Sequence, residues 1–322
     1  MITSHSLRGQ FIVALHAVTL FVAASTGALA QQFPTKNITI TTSFPATGTP
    51  ITYLRLITDD ISTRTGRTIV VDPKPAAFGS AGLSALQRAD ADGHSIAFVT
   101  TGALLVNPFT IPGLEWRPTS FTAIARVFGT PILLLGDPNI PVKTLADAIR
   151  QARDKPESIS VATAGALNRI TLAQIEAATG AKFLAVPIAS PRANIMGGQI
   201  NLGFDAPSSS KALVLDGKLR AIAMGSLQRS AYMPDVPTIA ETVPGVEAAT
   251  WFGFIGPKGI PADRLAWLHR EITTSLQKPA VADKLRESGY DLISESPAQF
   301  ADYLVKIEPV FDKIIRDYKI SN

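Results

Sequence analysis

Hydrophobic and polar residues change their spacing along the chain in a way that predicts strands alternating with helices. Residues 36–44 alternate β-branched and polar side chains, as a half-buried strand does. Residues 51–64 return apolar side chains to one face at helical spacing, and a glycine follows. Strands are predicted at 68–72 and 95–100, with a short helix at 83–89 between them. This alternation is typical of an α/β domain with a largely parallel sheet.

The same alternation starts again near residue 131, which predicts a second α/β unit. Strands are predicted at 131–135, 158–162, 182–186, 200–204 and 218–225, and helices from 144 onward, at 168–179 and at 207–215. The last third is more helical, with apolar faces over 263–277 and 297–318. Two capping pairs are predicted: Thr144 with Asp147 for the helix from 144 onward, and Ser296 with Gln299 for the final helix.

The composition excludes several classes of protein. A hydrophobic fraction of 46% and a charged fraction of 17% argue against disorder. The absence of cysteine excludes disulfides, thiolate nucleophiles and cysteine-ligated metals. The formal charge is only +4, and no block of basic residues occurs. We therefore expect no nucleic-acid partner.

The first thirty residues have the pattern of a secretory signal peptide. Arg8 supplies the positive charge, residues 11–24 form a mostly apolar run, and residues 28–30 read Ala-Leu-Ala, a small-x-small cleavage site. Cleavage after Ala30 would leave Gln31 as the mature N-terminus. An uncleaved membrane anchor is the alternative, but the run is short for a span of about 20 residues. The sequence therefore predicts an exported protein.

Little catalytic or metal-binding chemistry remains in the mature chain. His5 and His16 leave with the signal, so only His94 and His269 are left, and both are interpreted as structural. No G-x-S-x-G nucleophile motif occurs. We therefore expect a protein that is not an enzyme and that holds no metal and no cofactor. An exported hydrolase is the disfavoured alternative.

Four loops at the ends of predicted strands are rich in Gly, Thr and Ala: 43–49, 78–82, 100–102 and 163–166. Ligands on open α/β sheets bind at the carboxyl ends of strands. Free backbone N–H groups at helix starts, together with the helix dipole, favour an anion there. Each loop alone is explained better by ordinary turn formation, since Gly and Thr favour turns. Four such loops in one exported α/β protein predict a carboxylate-binding cleft.

Three charged residues near these loops each have two interpretations. Asp205 directly follows a predicted strand, and it either caps the helix at 207–215 or contacts a ligand hydroxyl or amine. Arg169 and Arg192 are interpreted as solvated surface residues. Pairing with a ligand carboxylate is the alternative for both.

Longer motifs run along the whole mature chain. They include FPTKNITI at 33–40, DGH at 92–94, GGQINLGFD at 197–205, RSAYMPDVPTIAE at 229–241 and WFGFIGPKGIPA at 251–262. In order and spacing they resemble the extracytoplasmic solute receptors of tripartite tricarboxylate transporters, often called Bug-type receptors.

The resemblance implies an α/β fold of the type II periplasmic-binding-protein kind, with two α/β domains, a ligand cleft and two interdomain crossovers. It divides the chain into a signal peptide at 1–30, a discontinuous first domain at 31–130 plus 250–322, and a second domain at 131–249. In this family a small carboxylate is held largely by backbone amides, small hydroxyls and bridging waters. The ligand-binding residues that the resemblance implies are Phe44, Ala46, Thr47, Gly48, Thr49, Gly79, Ser80, Ala81, Thr101, Gly102, Thr163, Ala164, Gly165, Ala166, Asn168 and Asp205.

The chain departs from the family pattern in these loops. Thr47 replaces a glycine, Ile51 replaces an acid and Phe78 replaces a glycine. Leu167 and Asn168 stand where Gly-Thr is usual. Phe78 and Leu167 would make the cleft smaller and more apolar, so an aromatic or more hydrophobic carboxylate is one hypothesis for the ligand.

The resemblance predicts a periplasmic, monomeric receptor that captures a small organic carboxylate and closes on it by a hinge motion. The ligand would then pass to the subunits of a membrane transporter. A receptor that presents its ligand to a signalling protein is one alternative. A scaffold that has lost ligand binding is another.

Overall fold

Two β-sheets organise the part of the chain that the structure describes, residues 33–46, 49–163, 165–188 and 191–320 of a computed structural model. Both sheets lie within one compact unit that begins at Lys36. The predicted signal peptide at 1–30 lies outside the described residues.

The first sheet has six strands in the order β11-β4-β10-β3-β1-β2, and the second has five in the order β7-β6-β8-β5-β9. The first sheet consists of β1 (Ile38–Thr42), β2 (Ile69–Pro73), β3 (Ser95–Thr100), β4 (Phe121–Pro131), β10 (Ala249–Pro257) and β11 (Asp291–Leu292). The second consists of β5 (Leu133–Gly136), β6 (Ser160–Ala162), β7 (Leu184–Val186), β8 (Leu202–Asp205) and β9 (Arg220–Met224).

Both sheets are mixed, so the prediction of a largely parallel sheet was wrong in this respect. β1, β2 and β3 are parallel, but β10 runs antiparallel to both β3 and β4. In the second sheet β6, β7 and β8 are parallel, and β5 runs antiparallel to β8 and β9. β4 passes almost directly into β5. β5 and β10 adjoin the crossings between the sheets and run antiparallel to their neighbours, and β11 also runs antiparallel to β4.

Helices cover the sheets and connect their parallel strands. They are α1 (Thr49–Thr65), α2 (Ser80–Gln87), α3 (Asn107–Thr110), α4 (Leu145–Asp154), α5 (Ala166–Thr179), α6 (Arg192–Met196), α7 (Pro207–Leu215), α8 (Ile239–Thr242), α9 (Ala262–Leu276), α10 (Pro279–Glu287) and α11 (Pro297–Asp317). A π-helical turn, Gly102–Val106, joins β3 to α3.

Capping residues begin two of the helices where the sequence predicts. Thr144 accepts a hydrogen bond from the Asp147 backbone N–H, and the Asp147 carboxylate accepts from Thr144 in return. Ser296 and Gln299 form the same reciprocal pair before α11. The short helix predicted at 83–89 instead spans 80–87, because Gly79 adopts a left-handed conformation and allows the helix to begin earlier.

Helix α5 is buried on two sides. Leu172 and Ile175 belong to the apolar core of the second sheet. Ile170 and Ala173 belong instead to a cluster that contains Trp251 of the first sheet. The helix therefore packs simultaneously against both halves of the fold.

Two chain crossovers join the sheets side by side. Ile132 lies in the first crossover and Ala248 in the second, and the Ile132 N–H donates to the Ala248 carbonyl at 2.8 Å. The Ala248 N–H donates to the Gly225 carbonyl at 2.7 Å, and the Gly225 N–H donates to the Ile132 carbonyl at 2.8 Å. These bonds tie both crossovers to the end of β9. The second sheet falls within the predicted second-domain range, and the first sheet falls within the predicted first-domain range except for Pro131 and Ala249. The domain boundaries themselves stay a prediction.

Candidate functional site

The C-terminal ends of β1, β2 and β3 lie on the side of the first sheet from which the chain crosses to the second sheet. Ala249 at the start of β10 pairs with Pro131 at the end of β4, so both crossovers leave this edge. Phe252 of β10 pairs with Thr100, which brings the end of β3 to the same edge. β1 and β2 run parallel to β3. The loops that follow these three strands therefore lie beside the crossovers.

The second sheet presents its strand ends in the same way. Leu133, the first residue of β5, pairs with Asp205 at the end of β8 and with Met224 at the end of β9. β6 runs parallel to β8, with Ala162 opposite Gly203. The loops that the sequence singles out thus leave the two sheet edges that the crossovers connect.

The first loop carries a half-buried aromatic side chain. The ring centroid of Phe44 lies 6.4 Å from that of Phe98 and 5.9 Å from that of Phe252. Its backbone N–H donates to the Thr42 hydroxyl at 3.4 Å. Of the other predicted residues here, Ala46 is exposed, Thr49 begins α1, and Thr47 and Gly48 lie outside the described residues.

The second loop packs against the first through a glycine. Gly79 has φ +85°, and a Cβ built there would lie 2.2 Å from the Ser43 Cβ, so a larger residue does not fit. Ser80 is buried, and its hydroxyl accepts a hydrogen bond from Asn107 Nδ2 at 3.2 Å. Ala81 is exposed. The second loop is therefore closely packed against the first loop.

The Thr101 hydroxyl is engaged by the chain itself. It donates to the Ala249 carbonyl at 3.2 Å and accepts from the Trp251 N–H at 3.0 Å. Thr101 is only 2% exposed. These bonds give the side chain a structural role at the second crossover. Gly102, the next predicted residue, begins the π-helical turn.

Two buried polar side chains of the second sheet lack a hydrogen-bond partner among the described residues. Thr163 follows β6 and is 6% exposed, and Asn168 in the first turn of α5 is 8% exposed. The Thr163 N–H donates to the Val186 carbonyl at 2.9 Å, whereas its hydroxyl is unpaired. Their polar atoms still reach solvent, since neither belongs to the fully enclosed unpaired atoms. Buried polar groups normally have hydrogen-bond partners, so both side chains are available to a partner from outside the chain.

Gly165 precedes α5 in a conformation that only glycine adopts readily, with φ +94° and ψ 179°. A Cβ built there meets no atom of the described residues within 4 Å, so space is open beside it in that part of the chain. Ala166 packs partly on the cluster that includes Leu104 and Leu105 of the π-helical turn. This contact joins the candidate loops of the two sheets. Ala164 lies outside the described residues.

Asp205 does not cap α7. Ala206 occupies the N-cap position, without a side-chain hydrogen bond to the helix. The Asp205 carboxylate instead accepts from the Ser210 hydroxyl at 2.7 Å. Arg192 Nε lies 3.4 Å from the same oxygen, Oδ2. Sequence reasoning missed Ser210, although a serine run directly after Pro207 marks the start of α7.

Arg169 is not directed to the candidate loops. Its Nη1 lies 3.9 Å from Oε2 of Glu176, which is about two helical turns further along α5. Its guanidinium also lies over the Tyr318 ring, 5.7 Å from the centroid. Nη1 of Arg169 is buried and Glu176 is only 4% exposed, so Arg169 is a structural residue of the fold and the prediction of a solvated surface side chain was wrong.

A buried charged cluster stands beside the second crossover. Arg126 of β4 donates through Nε to Glu295 at 3.1 Å, and its Nη1 lies 3.6 Å from Glu247. Its guanidinium lies 4.0 Å from the centroid of the Tyr303 ring. Burial opposes the charged form, but hydrogen bonding to Glu295 and the nearby negative charges raise the pKa of Arg126. Burial raises the pKa of Glu247 more than Arg126 lowers it.

The chemistry of the site is that of polar recognition. It offers backbone N–H groups at helix starts, the unpaired Thr163 and Asn168 side chains, and one carboxylate that is already paired. Within the described ranges, no group of three His, Asp or Glu side chains is arranged to hold a metal ion. No helix in those ranges combines the length and apolar character needed to cross a bilayer.

Comparison with known proteins places the chain among solute receptors. A UPF0065 protein in the tcbD-tcbE intergenic region of Pseudomonas sp. (strain P51) is 28% identical over 299 residues, covering 90% of this chain and 89% of the relative. A solved R. palustris protein with adipate is 26% identical, with a TM-score of 0.65 over 90% of this chain and 99% of that one. A TctC solute-binding protein from Polaromonas, solved without ligand, is 22% identical with a TM-score of 0.80, over 88% of this chain and 99% of that one.

The sequence profile of one receptor family matches most of the chain. The matched segment is residues 53–318, which contains every strand except β1 and every helix except the start of α1. The structural neighbours are periplasmic binding proteins, which confirms the predicted type II fold. The chain belongs to the tripartite tricarboxylate transporter receptor family, and it is a solute-binding receptor.

Proposed function

We propose that this receptor binds a small organic carboxylate between the strand-end loops of its two sheets and delivers it to a membrane transporter of the tripartite tricarboxylate type. The observation that carries the proposal is the pair of buried, unpaired side chains Thr163 and Asn168 beside the start of α5. Helix α5 begins with free backbone N–H groups, which favour an anion. The R. palustris relative solved with adipate supports a carboxylate as the anion.

Ligand binding would use groups from both sheets. Backbone N–H groups at Gly79 to Ala81 on the first sheet and at Gly165 to Ala166 on the second sheet would donate to carboxylate oxygens. Thr163 and Asn168 would supply side-chain donors. Ligand contacts made from both sides stabilise a closed arrangement, so binding shifts the population of the receptor toward closure about the crossovers. The predicted contacts of Phe44, Gly102 and Asp205 belong to the same site.

One predicted ligand contact, that of the Thr101 hydroxyl, is left out of this proposal. Thr101 already donates its hydroxyl hydrogen to the Ala249 carbonyl, so it has no free donor for a ligand oxygen. Its role would be to hold the second crossover, and the ligand would be bound by its neighbours. We further infer that the chain acts in the periplasm as a monomer, that its signal is cleaved after Ala30, and that it performs no catalysis.

A thermal-shift screen with adipate, succinate, citrate and benzoate tests the proposal. A ligand at 100 times its Kd stabilises a single-site receptor by about 2.7 kcal/mol, which corresponds to a shift of several degrees in Tm. We expect at least one carboxylate to raise the Tm and Asn168→Ala to remove the shift. Asn139→Ala, which changes an exposed asparagine in the same half of the fold, should retain it. If no carboxylate raises the Tm, the chain is a scaffold without this ligand class.

Two further measurements separate the remaining alternatives. Mass spectrometry of the exported protein should give a chain that begins at Gln31, whereas an uncleaved anchor retains residue 1. Co-purification with transporter membrane subunits in the presence of the bound carboxylate supports delivery. Co-purification with a sensor protein instead would favour the signalling alternative.

A further inference from the structure

The candidate anion site contains a carboxylate of its own. Asp205 ends β8, and its neighbour β6 ends at Ala162, directly before Thr163. Its side chain is 15% exposed, and it lies at the same strand-end side of the second sheet as Thr163. Two carboxylates at short range repel strongly where water is partly excluded. A receptor for anions needs to compensate this charge.

Arg192 provides the compensation. Its Nε lies 3.4 Å from Asp205 Oδ2, and its Nη1 donates to the Ser209 carbonyl at 2.7 Å. The second bond anchors the guanidinium to the first turn of α7. The Ser210 hydroxyl donates to the same Oδ2 at 2.7 Å. Asp205 Oδ2 therefore accepts one hydrogen bond, from Ser210, and forms an ion pair with Arg192, while Oδ1 has no hydrogen-bond partner among the described residues.

We propose that Arg192 is a positioning residue that neutralises and orients Asp205, so that an anionic ligand can bind beside this carboxylate while Oδ1 accepts a hydrogen bond from a ligand hydroxyl, amine or bound water. This inference rests on the proposed function. Arg192 acts through Asp205, and the ligand does not need to touch it.

The prediction for Arg192 is electrostatic, so ligand charge is the variable to test. The probe is whichever of adipate, succinate, citrate and benzoate raises the Tm of the wild-type receptor most, together with its fully amidated counterpart. Titration calorimetry should give about a 10-fold or greater loss of carboxylate affinity for Arg192→Gln, because Asp205 is then uncompensated. The affinity for the neutral amide should change less than about 3-fold.

A double-substitution cycle distinguishes positioning from a purely structural role. Arg192→Gln combined with Asp205→Asn removes both charges, and it should recover most of the carboxylate affinity that Arg192→Gln loses. Arg192→Lys keeps the charge near Asp205 and should bind more tightly than Arg192→Gln. The ligand-free Tm of each variant establishes that it is folded.

Each possible outcome bears on the proposal. Equal losses for the carboxylate and its amide, or no recovery in the double variant, would overturn the role of Arg192 and leave the proposed function intact. Unchanged carboxylate binding by Arg192→Gln would do the same. Absence of any carboxylate binding by the wild-type receptor would overturn the proposed function itself, and the role of Arg192 with it.

Discussion

The Ser230 hydroxyl donates to Asp291 Oδ1 at 3.0 Å and so joins the edge of the second sheet to the edge of the first. Ser230 follows β9, and Asp291 begins β11. A Cβ built on Gly289 would lie 3.6 Å from Tyr232, which extends the same contact. β9 and β11 are the outer strands on one side of the crossovers, whereas most candidate loops follow strands on the other side. The two halves of the fold therefore touch behind the hinge.

This rear contact leads to a prediction for ligand affinity. Rotation that brings the candidate loops together separates segments on the opposite side of the crossovers, so the Ser230–Asp291 bond opposes closure. A typical hydrogen bond contributes about 0.5–1.5 kcal/mol, and Ser230→Ala should therefore tighten carboxylate binding by about 2- to 10-fold. Calorimetry measures this change. Gln228→Ala alters an exposed residue of the same loop and should leave the affinity unchanged. Weaker carboxylate binding by Ser230→Ala would contradict the argument that the Ser230–Asp291 bond opposes closure.

Thr101→Val separates a structural role for Thr101 from a role in ligand binding. Valine keeps the shape but removes the hydroxyl that joins Ala249 and Trp251, leaving a buried carbonyl and N–H unpaired. We expect a loss of about 1–3 kcal/mol in the free energy of unfolding. Thr101→Ser should retain most of the stability. Denaturant unfolding tests this, and ligand binding by the folded valine variant should persist. If the variant loses binding without losing stability, Thr101 contacts the ligand after all.

The sequence was sufficient to predict the alternating elements, the two capping boxes and the position of the candidate loops. It was less informative about β4 and β10. Both are buried on both faces, so apolar residues such as Ile124 and Phe254 do not alternate with polar ones and the strand signal is weak. The antiparallel arrangement of these strands depends on the crossovers, which local patterns do not encode.

The sequence was also insufficient to predict which side chains contact each other. The ligand contact of Asn168 stays a prediction, and the engagement of Thr101 with β10 joins residues about 150 positions apart. Arg192 and Asp205 are 13 positions apart, and the intervening chain turns back through α6 and β8 before they pair. No periodicity reports such contacts, because they arise from tertiary packing.

Gly225 is expected to tolerate no side chain. A Cβ at this position would lie 2.0 Å from the Ala248 carbonyl oxygen and 2.7 Å from the Ala248 Cβ. Because the obstacle is backbone in the second crossover, Gly225→Ala should destabilise the fold by about 1–3 kcal/mol and lower the Tm by several degrees. Gly102→Ala, whose Cβ would meet only the Thr100 hydroxyl at 3.9 Å, is the matched control for stability. Equal Tm values for the two variants would argue against a closely packed hinge.

The ion-pair network of Asp60 predicts a pH-dependent contribution to stability. Burial opposes ionisation, but hydrogen bonds from Lys278, Ser275 and Arg64 outweigh it and lower the pKa of Asp60 from 3.8 to about 2. The lowered pKa stabilises the folded state above the unfolded pKa, and the contribution is lost as the pH falls toward 2. Allowing for solvent screening, it amounts to about 1 kcal/mol.

Asp60→Asn should therefore lower the Tm at pH 7 by a few degrees, and the difference from wild type should disappear near pH 2. Asp59→Asn changes an exposed neighbour and serves as the control. Thermal unfolding across this pH range provides the measurement. A difference that is constant with pH would mean that the charge of Asp60 is not the source of the stabilisation.

Two substitutions at Gly165 distinguish steric blocking of the ligand site from backbone strain. Its φ of +94° and ψ of 179° impose a strain of about 1–3 kcal/mol on any other residue, and this strain is common to alanine and leucine. Because no atom lies within 4 Å of a built Cβ, alanine adds little bulk, whereas leucine projects further into the open space beside Thr163 and Asn168. Both variants should show similar ligand-free Tm values. We expect Gly165→Ala to retain a carboxylate-induced thermal shift and Gly165→Leu to abolish it. An undiminished shift in the leucine variant would mean that the ligand does not occupy this space.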